Sequence, residues 1–184
     1  MVIVKRRDTT GAWPVRHTSI TAANSVYLNT DAASAAATTV WNSTTPTSTV
    51  FSIGTSTDVN ANTGTYVAYC FAPISGFSTM SSYTGNGSTD GPFVFLNYRP
   101  AFLLVKRTDT TSNWTTLDFQ REGYNVDNDP LFPNSTAAET TTDLADLLSN
   151  GFKLRTTDAS VNASGGTYVY MSLAFNPFKY ARAR

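Results

Sequence analysis

His17 is the only histidine in this chain of 184 residues, so every imidazole-based chemistry hangs on it. General-base catalysis, a Ser-His-Asp triad and a His-rich metal site would each need that residue. No G-x-S-x-G elbow accompanies it. In the internal repeat described below His17 stands where the second copy has Asp118. The duplicated scaffold therefore does not require an imidazole, and His17 reads as a partly exposed strand or loop histidine. Carboxylates offer a second chemistry. Asp118, Glu122, Asp127 and Asp129 lie close in sequence with Arg121 among them. Two carboxylates facing each other across a sugar bond would hydrolyse it. Asp and Asn in such a stretch equally cap turns, which is the plainer reading.

Metal binding is the third chemistry. Asp58, Asn60 and Asn62 place oxygens at alternate positions, as calcium loops do. Gly64 comes one position late for that pattern, and no glutamate closes the loop. The second copy has Ser160, Asn162 and Ser164 there, without a carboxylate; Asn125, Asp127 and Asp129 form a comparably weak set. The expectation is no catalytic residue, no metal and no cofactor. Cys70 is the sole cysteine, which excludes an intrachain disulfide and a thiolate cluster. It aligns with Ser172 and reads as a space-filler.

Aromatic and basic residues complete the survey. Sugar recognition stacks an exposed ring on a pyranose face. Trp41 has no aromatic counterpart in the second copy, and Tyr83 and Tyr98 flank a glycine-rich loop. These three are the candidates for glycan or subunit contact. Trp13 and Trp114 are repeat-equivalent, as are Tyr66 and Tyr168, and Val67 and Val169; these pairs read as structural core. The basic runs Lys5-Arg6-Arg7 and Lys106-Arg107 are each followed by an aspartate, Asp8 or Asp109. Thirteen basic and thirteen acidic residues cancel, so local ion pairs or subunit contacts fit better than nucleic acid. The basic end, 179–184, reads as a solvated tail or a contact to an acidic neighbour.

The elements that must position these residues are strands. Thr, Ser and Asn supply 62 of 184 residues, only 14% are charged, and there are just two glutamates and four lysines. That composition disfavours helix and favours strands and turns. An apolar content of 41% with 12% aromatics argues for a packed interior rather than disorder. The opening M-V-I-V-K-R-R-D reads as no signal peptide, and no apolar run is long enough for a membrane span.

The chain also contains itself twice. Residues 2–13 align with 103–114 at seven identities in twelve, and 59–67 with 161–169 at seven in nine. Asn29-Thr-Asp-Ala-Ala aligns with Asn134-Ser-Thr-Ala-Ala between them. Strands are expected at 2–6, 102–107, 66–72, 168–175, 51–53 and 152–154. Residues 77–98 read as a hairpin about the glycine-rich loop 85–91. The one helix expected covers 136–148, with Leu144, Leu147 and Leu148 at helical spacing and Gly151 as a stop. The fold class is all-β: an antiparallel sandwich, jelly-roll or lectin-like, with internal duplication and at most one or two short helices. Two repeat units, 1–76 and 77–184, are expected, packed as one body.

The motifs T-Y-V-A-Y-C-F-A-P (65–73), S-Y-T-G-N-G-S-T-D-G-P-F-V (82–94), R-P-A-F-L-L-V-K-R-T-D (99–109), L-S-N-G-F-K-L-R (148–155) and G-G-T-Y-V-Y (165–170) cover most of the chain. Together they resemble an uncharacterised domain family of tail-fibre and other virion proteins of tailed phages, marine ones among them. The resemblance implies a structural, non-enzymatic component of a tail fibre, appendage or capsid decoration. Such a protein would be assembled in the host cytoplasm and reside in the virion. Its partners would be itself, as a homo-oligomer such as a trimer, and other virion proteins, with no nucleic acid and no membrane insertion. A lectin-like module contacting host surface glycans is the alternative. In the family a unit begins just before Y-T-G-N-G, so the resemblance implies that 77–184 is a complete unit, that 1–76 is a unit truncated at its start, and that the chain would begin inside one.

Overall fold

A computed structural model describes residues 1–122, 125 and 129–177. Twelve strands and four single-turn helices occur among them, and every named strand pairing is antiparallel. The first copy contributes β1 (Val2–Arg6), β2 (Pro14–Arg16), β3 (Asn24–Tyr27), β4 (Ala35–Ala36), α1 (Thr38–Trp41), α2 (Thr57–Asn60) and β5 (Tyr66–Cys70). The second contributes β6 (Ser78–Thr84), β7 (Phe93–Phe95), β8 (Pro100–Arg107), β9 (Trp114–Asp118), α3 (Phe119–Glu122), β10 (Ala145–Leu148), β11 (Gly151–Leu154), α4 (Ala159–Asn162) and β12 (Thr167–Ala174).

Three sheets result, in the orders β4-β3-β2-β1-β5, β6-β12-β8-β9 and β10-β11-β7. Strand alternation assigns their faces. Met1 and Ile3 point into a cluster with Val15, Val26, Leu104, Trp114, Val169 and Met171, which joins the first sheet to the second. Leu103, Val105, Tyr168 and Tyr170 point the other way, against Leu147, Phe152 and Leu154 of the third sheet. Val2 and Val4 face outward from the first sheet onto Val40, Trp41 and Val59, where helices α1 and α2 replace a sheet as the cover. The body is a layered, sandwich-like all-β fold.

The duplication is visible atom by atom. The Trp13 and Trp114 amides each donate to an asparagine Oδ1, Asn29 and Asn134, at 2.8 Å. Tyr66 Oη accepts from the Ala61 amide at 2.7 Å and donates to the Thr57 carbonyl at 2.8 Å. Tyr168 Oη repeats this with Ala163 at 2.7 Å and Ala159 at 2.9 Å. Strand β1 pairs with β2 and β5 as β8 pairs with β9 and β12.

Several sequence expectations are corrected. Four short helices form among the described residues, rather than one or two. The helix expected over 136–148 is absent, and its last residues are strand β10, paired with β11 from Ala145↔Leu154 to Leu148↔Gly151. The leucines follow helical spacing, but their burial is earned by the third sheet. Gly151 is no helix stop: a Cβ there would lie 2.1 Å from the Val94 carbonyl. Residues 51–53 form no strand, although their counterpart is β11. Residues 77–98 are not a hairpin either. Strand β6 pairs with β12 and β7 with β11, so the glycine-rich loop crosses between two sheets.

Candidate functional site: one strand-docking position in two states

Several of the side chains that could do chemistry are engaged as braces. His17 is 1% exposed, correcting the exposed-loop expectation. Its Nε2 lies 3.0 Å from the Tyr170 carbonyl, and its Nδ1 accepts from the Ser19 amide at 3.1 Å. A neutral ring with the proton on Nε2 satisfies both, and burial pushes its pKa down to about 4. Asp118 accepts from the Gln120 and Arg121 amides at the start of α3 and pairs with the Arg121 guanidinium, which also meets Glu139 at 3.1 Å. The Glu122 side chain and Asp127 lie outside the described residues. Asp58 and Asn60 fall within α2, a helical turn rather than a ligand loop. No cluster of three metal-ligating side chains occurs among the described residues.

The basic runs form local bonds. Arg6 pairs with Asp8 and Arg107 with Asp109, both at 2.8 Å. These guanidiniums hold Asp8 well below the usual carboxylate range and Asp109 at about 2. Lys106 Nζ donates to the carbonyls of Asp31, Arg107 and Ser112 at 3.1, 2.9 and 2.8 Å, which ties the first copy to the second. Burial lowers its pKa to about 8. The basic end from 178 onward lies outside the described residues.

The aromatic candidates are corrected too. Trp41 is 1% exposed and donates through Nε1 to Ser25 Oγ at 3.1 Å, so it presents no face to a sugar. Tyr98 is buried and donates to the Ser172 carbonyl at 3.2 Å. Tyr83 stacks on Tyr168 with centroids 5.0 Å apart and planes 10° apart, and its hydroxyl donates to the Val161 carbonyl at 2.8 Å. Both tyrosines thus face β12 of their own chain. Among the repeat-equivalent pairs, Trp114, Tyr168 and Val169 are buried, whereas Trp13, Tyr66 and Val67 are only half-buried. Cys70 is exposed, not a core space-filler.

That asymmetry has a structural cause. Strand β6 covers the outer edge of β12 in the register Tyr168↔Tyr83, Tyr170↔Ser81 and Ser172↔Thr79. Beyond it the Gly85 amide donates to the Gly166 carbonyl at 2.9 Å, and the Gly165 amide to the Gly85 carbonyl at 3.0 Å. The Gly87 amide donates to the Asn162 carbonyl at 3.0 Å. The Asn162 side chain completes the dock: Oδ1 accepts from the Asn86 amide at 2.9 Å, and Nδ2 reaches the Ser88 and Thr156 carbonyls at 2.8 and 2.7 Å. A Cβ on Gly85 would sit 2.3 Å from the Ala163 carbonyl, so glycine is required for this approach.

In the first copy β5 ends its sheet, and no strand pairs with its other edge among the described residues. Its residues run half-buried to exposed, against the buried run of β12. Asn60 keeps the bond equivalent to Asn162–Thr156, donating to the Gly54 carbonyl at 2.9 Å, but is exposed. A groove of about 590 Å³ opens beside this edge, lined by Met1, Val50, Phe51, Cys70 and Phe71 among others. Neither the coincidence of Tyr83 with Tyr168 nor the docking role of Asn162 was read from the sequence. The repeated V-N-A and G-T-Y-V blocks were the available signal.

The chain belongs to DUF7483, a family described as a domain of unknown function, whose model matches residues 1–177 across both copies. No curated protein and no solved structure matches the chain.

Proposed function

We propose that this chain is a structural component of a tailed-phage virion, in a tail fibre or appendage or as a capsid decoration, acting by protein–protein packing without catalysis. One observation carries the packing part of this reading. Among the described residues His17, Lys106, Asp118 and the Arg–Asp pairs are spent on internal bonds, while large apolar side chains stand exposed on both copies. On the first copy Val50, Ile53, Tyr69 and Ile74 are 63%, 40%, 45% and 45% exposed, with Tyr69 on β5 and Ile74 just beyond it; on the second, Phe93 and Phe95 of the edge strand β7 are 45% and 61% exposed. Exposed apolar side chains around an open sheet edge mark a surface that another protein covers. The virion setting rests on the motif resemblance. Homo-oligomerisation fits both.

The test combines light scattering on the purified chain with immunogold labelling of particles. The reading expects a defined oligomer and label on the virion, with no hits on a glycan array. A monomer at high concentration together with unlabelled particles would contradict it; array hits would favour the lectin-like alternative instead. No helix among the described residues is long and apolar enough to cross a membrane.

A further inference from the structure

We propose that the open edge of β5 is an acceptor for an extended donor strand of the β6 type, S-S-Y-T-G-N-G, supplied by a polypeptide segment outside these 184 residues. The inference rests on the packing reading above and names the chemistry of the partner.

The second copy displays the occupied state, and its backbone edge, loop dock and tyrosine anchor have counterparts in the first, whereas Tyr170, against which Tyr83 also packs, is replaced by Ala68. Pairing fixes the backbone. The Arg7 amide bonds to the Thr65 carbonyl and the Phe71 amide to the Met1 carbonyl, so the odd-numbered residues of β5 face β1. Tyr66, Ala68 and Cys70 then turn their N–H and C=O groups outward, where Tyr168, Tyr170 and Ser172 meet β6. The loop dock is preserved as well. Thr63 holds a left-handed φ of 60°, matching Gly165 at 71°, and Gly64 stands for Gly166. The Asn60 side chain occupies the place of Asn162, with its bond to the neighbouring carbonyl already made and the partners that Asn86 and Ser88 supply missing. Tyr66 is anchored through the same two hydroxyl bonds as Tyr168 but lacks the stacked ring that Tyr83 provides. The Val59 carbonyl stands where Val161 accepts the Tyr83 hydroxyl.

The occupant follows from this chemistry and from counting. A tyrosine must lie opposite Tyr66, glycines must follow where Gly85 and Gly87 lie, and an asparagine must sit between them. That pattern, Y-T-G-N-G, occurs once in the sequence and is held by β12. Each chain thus has two acceptor edges and one donor strand. Copies exchanging β6 would always leave one edge empty, so the donor comes from elsewhere.

The test adds a synthetic peptide of residues 77–88 to the full chain, read by calorimetry and by amide hydrogen exchange. Binding at one peptide per chain is expected, with the Tyr66, Ala68 and Cys70 amides becoming protected. Tyr83→Ala in the peptide should weaken binding at least about tenfold, and Gly85→Val should abolish it. In the chain, Ala68→Pro removes an outward N–H that β1 does not use, and should abolish binding with the melting temperature nearly unchanged. Failure of the peptide to bind, or equal binding of a scrambled peptide, overturns the proposal. So does a self-association that protects β5 and resists the peptide. An oligomer that forms normally while the peptide fails would sink this inference and leave the packing reading standing.

Discussion

The two copies share their central strands and differ in the layer that covers them and in what lies along one strand's edge. In the second, β12 is flanked on both sides and buried; in the first, β5 is flanked on one side and half-exposed. The anchoring bonds of Tyr66 and Tyr168 match to within 0.1 Å, so the difference is not in local structure. It lies in the added strand and in the sheet that covers the second copy where helices cover the first. A residue's worth to the fold is therefore set by that neighbour more than by its own type.

The largest contrast should come from the paired tyrosines. Tyr168→Ala removes a fully buried ring stacked on Tyr83, and should cost about 3–5 kcal/mol in urea denaturation. Tyr66→Ala removes the same ring from a half-open place and should cost less than half of that. Equal losses would mean that the copies are equally packed. His17 comes next, and its effect is read through pH. Its pKa of about 4 lies below the ordinary 6.5, so the unfolded chain binds the proton first. Stability is full well above pH 6.5 and falls by about 3 kcal/mol as pH drops toward 4, where the loss from the paired Asp8 and Asp109 begins to add to it. His17→Gln should flatten that limb, and an unchanged limb would remove His17 as its cause.

Asn162→Ala strands the Asn86 amide and the Ser88 and Thr156 carbonyls, and should cost about 2–3 kcal/mol, whereas Asn60→Ala should cost under about 1. Smallest of all is the surface pair Arg107–Asp109, where Asp109→Asn should change stability by at most about 1 kcal/mol.

The sequence disclosed the scaffold better than the site. Lys-Arg-x-Asp-Thr-Thr and Gly-Thr-Tyr-Val repeat in register because they build the same strands and turns twice, and the ion pairs at Asp8 and Asp109 were legible for that reason. Strand β10 was misread because Leu144, Leu147 and Leu148 satisfy helical spacing, and only the third sheet decides between the two periods. Trp41 looked free because no aromatic matches it, yet it fills the space under Val2 and Val4 that a sheet fills in the other copy. Tyr83 and Asn162 were seen as separate features. The bonds that join their segments, Tyr83 to Val161 across 78 residues and Asn86 to Asn162 across 76, are tertiary events that neither local pattern announces.

Amide hydrogen exchange on the chain alone tests the central contrast most directly. The amides of Tyr168, Tyr170 and Ser172 should exchange only on global unfolding, while those of Tyr66, Ala68 and Cys70 should exchange orders of magnitude faster. Comparable protection at both sets would contradict the account.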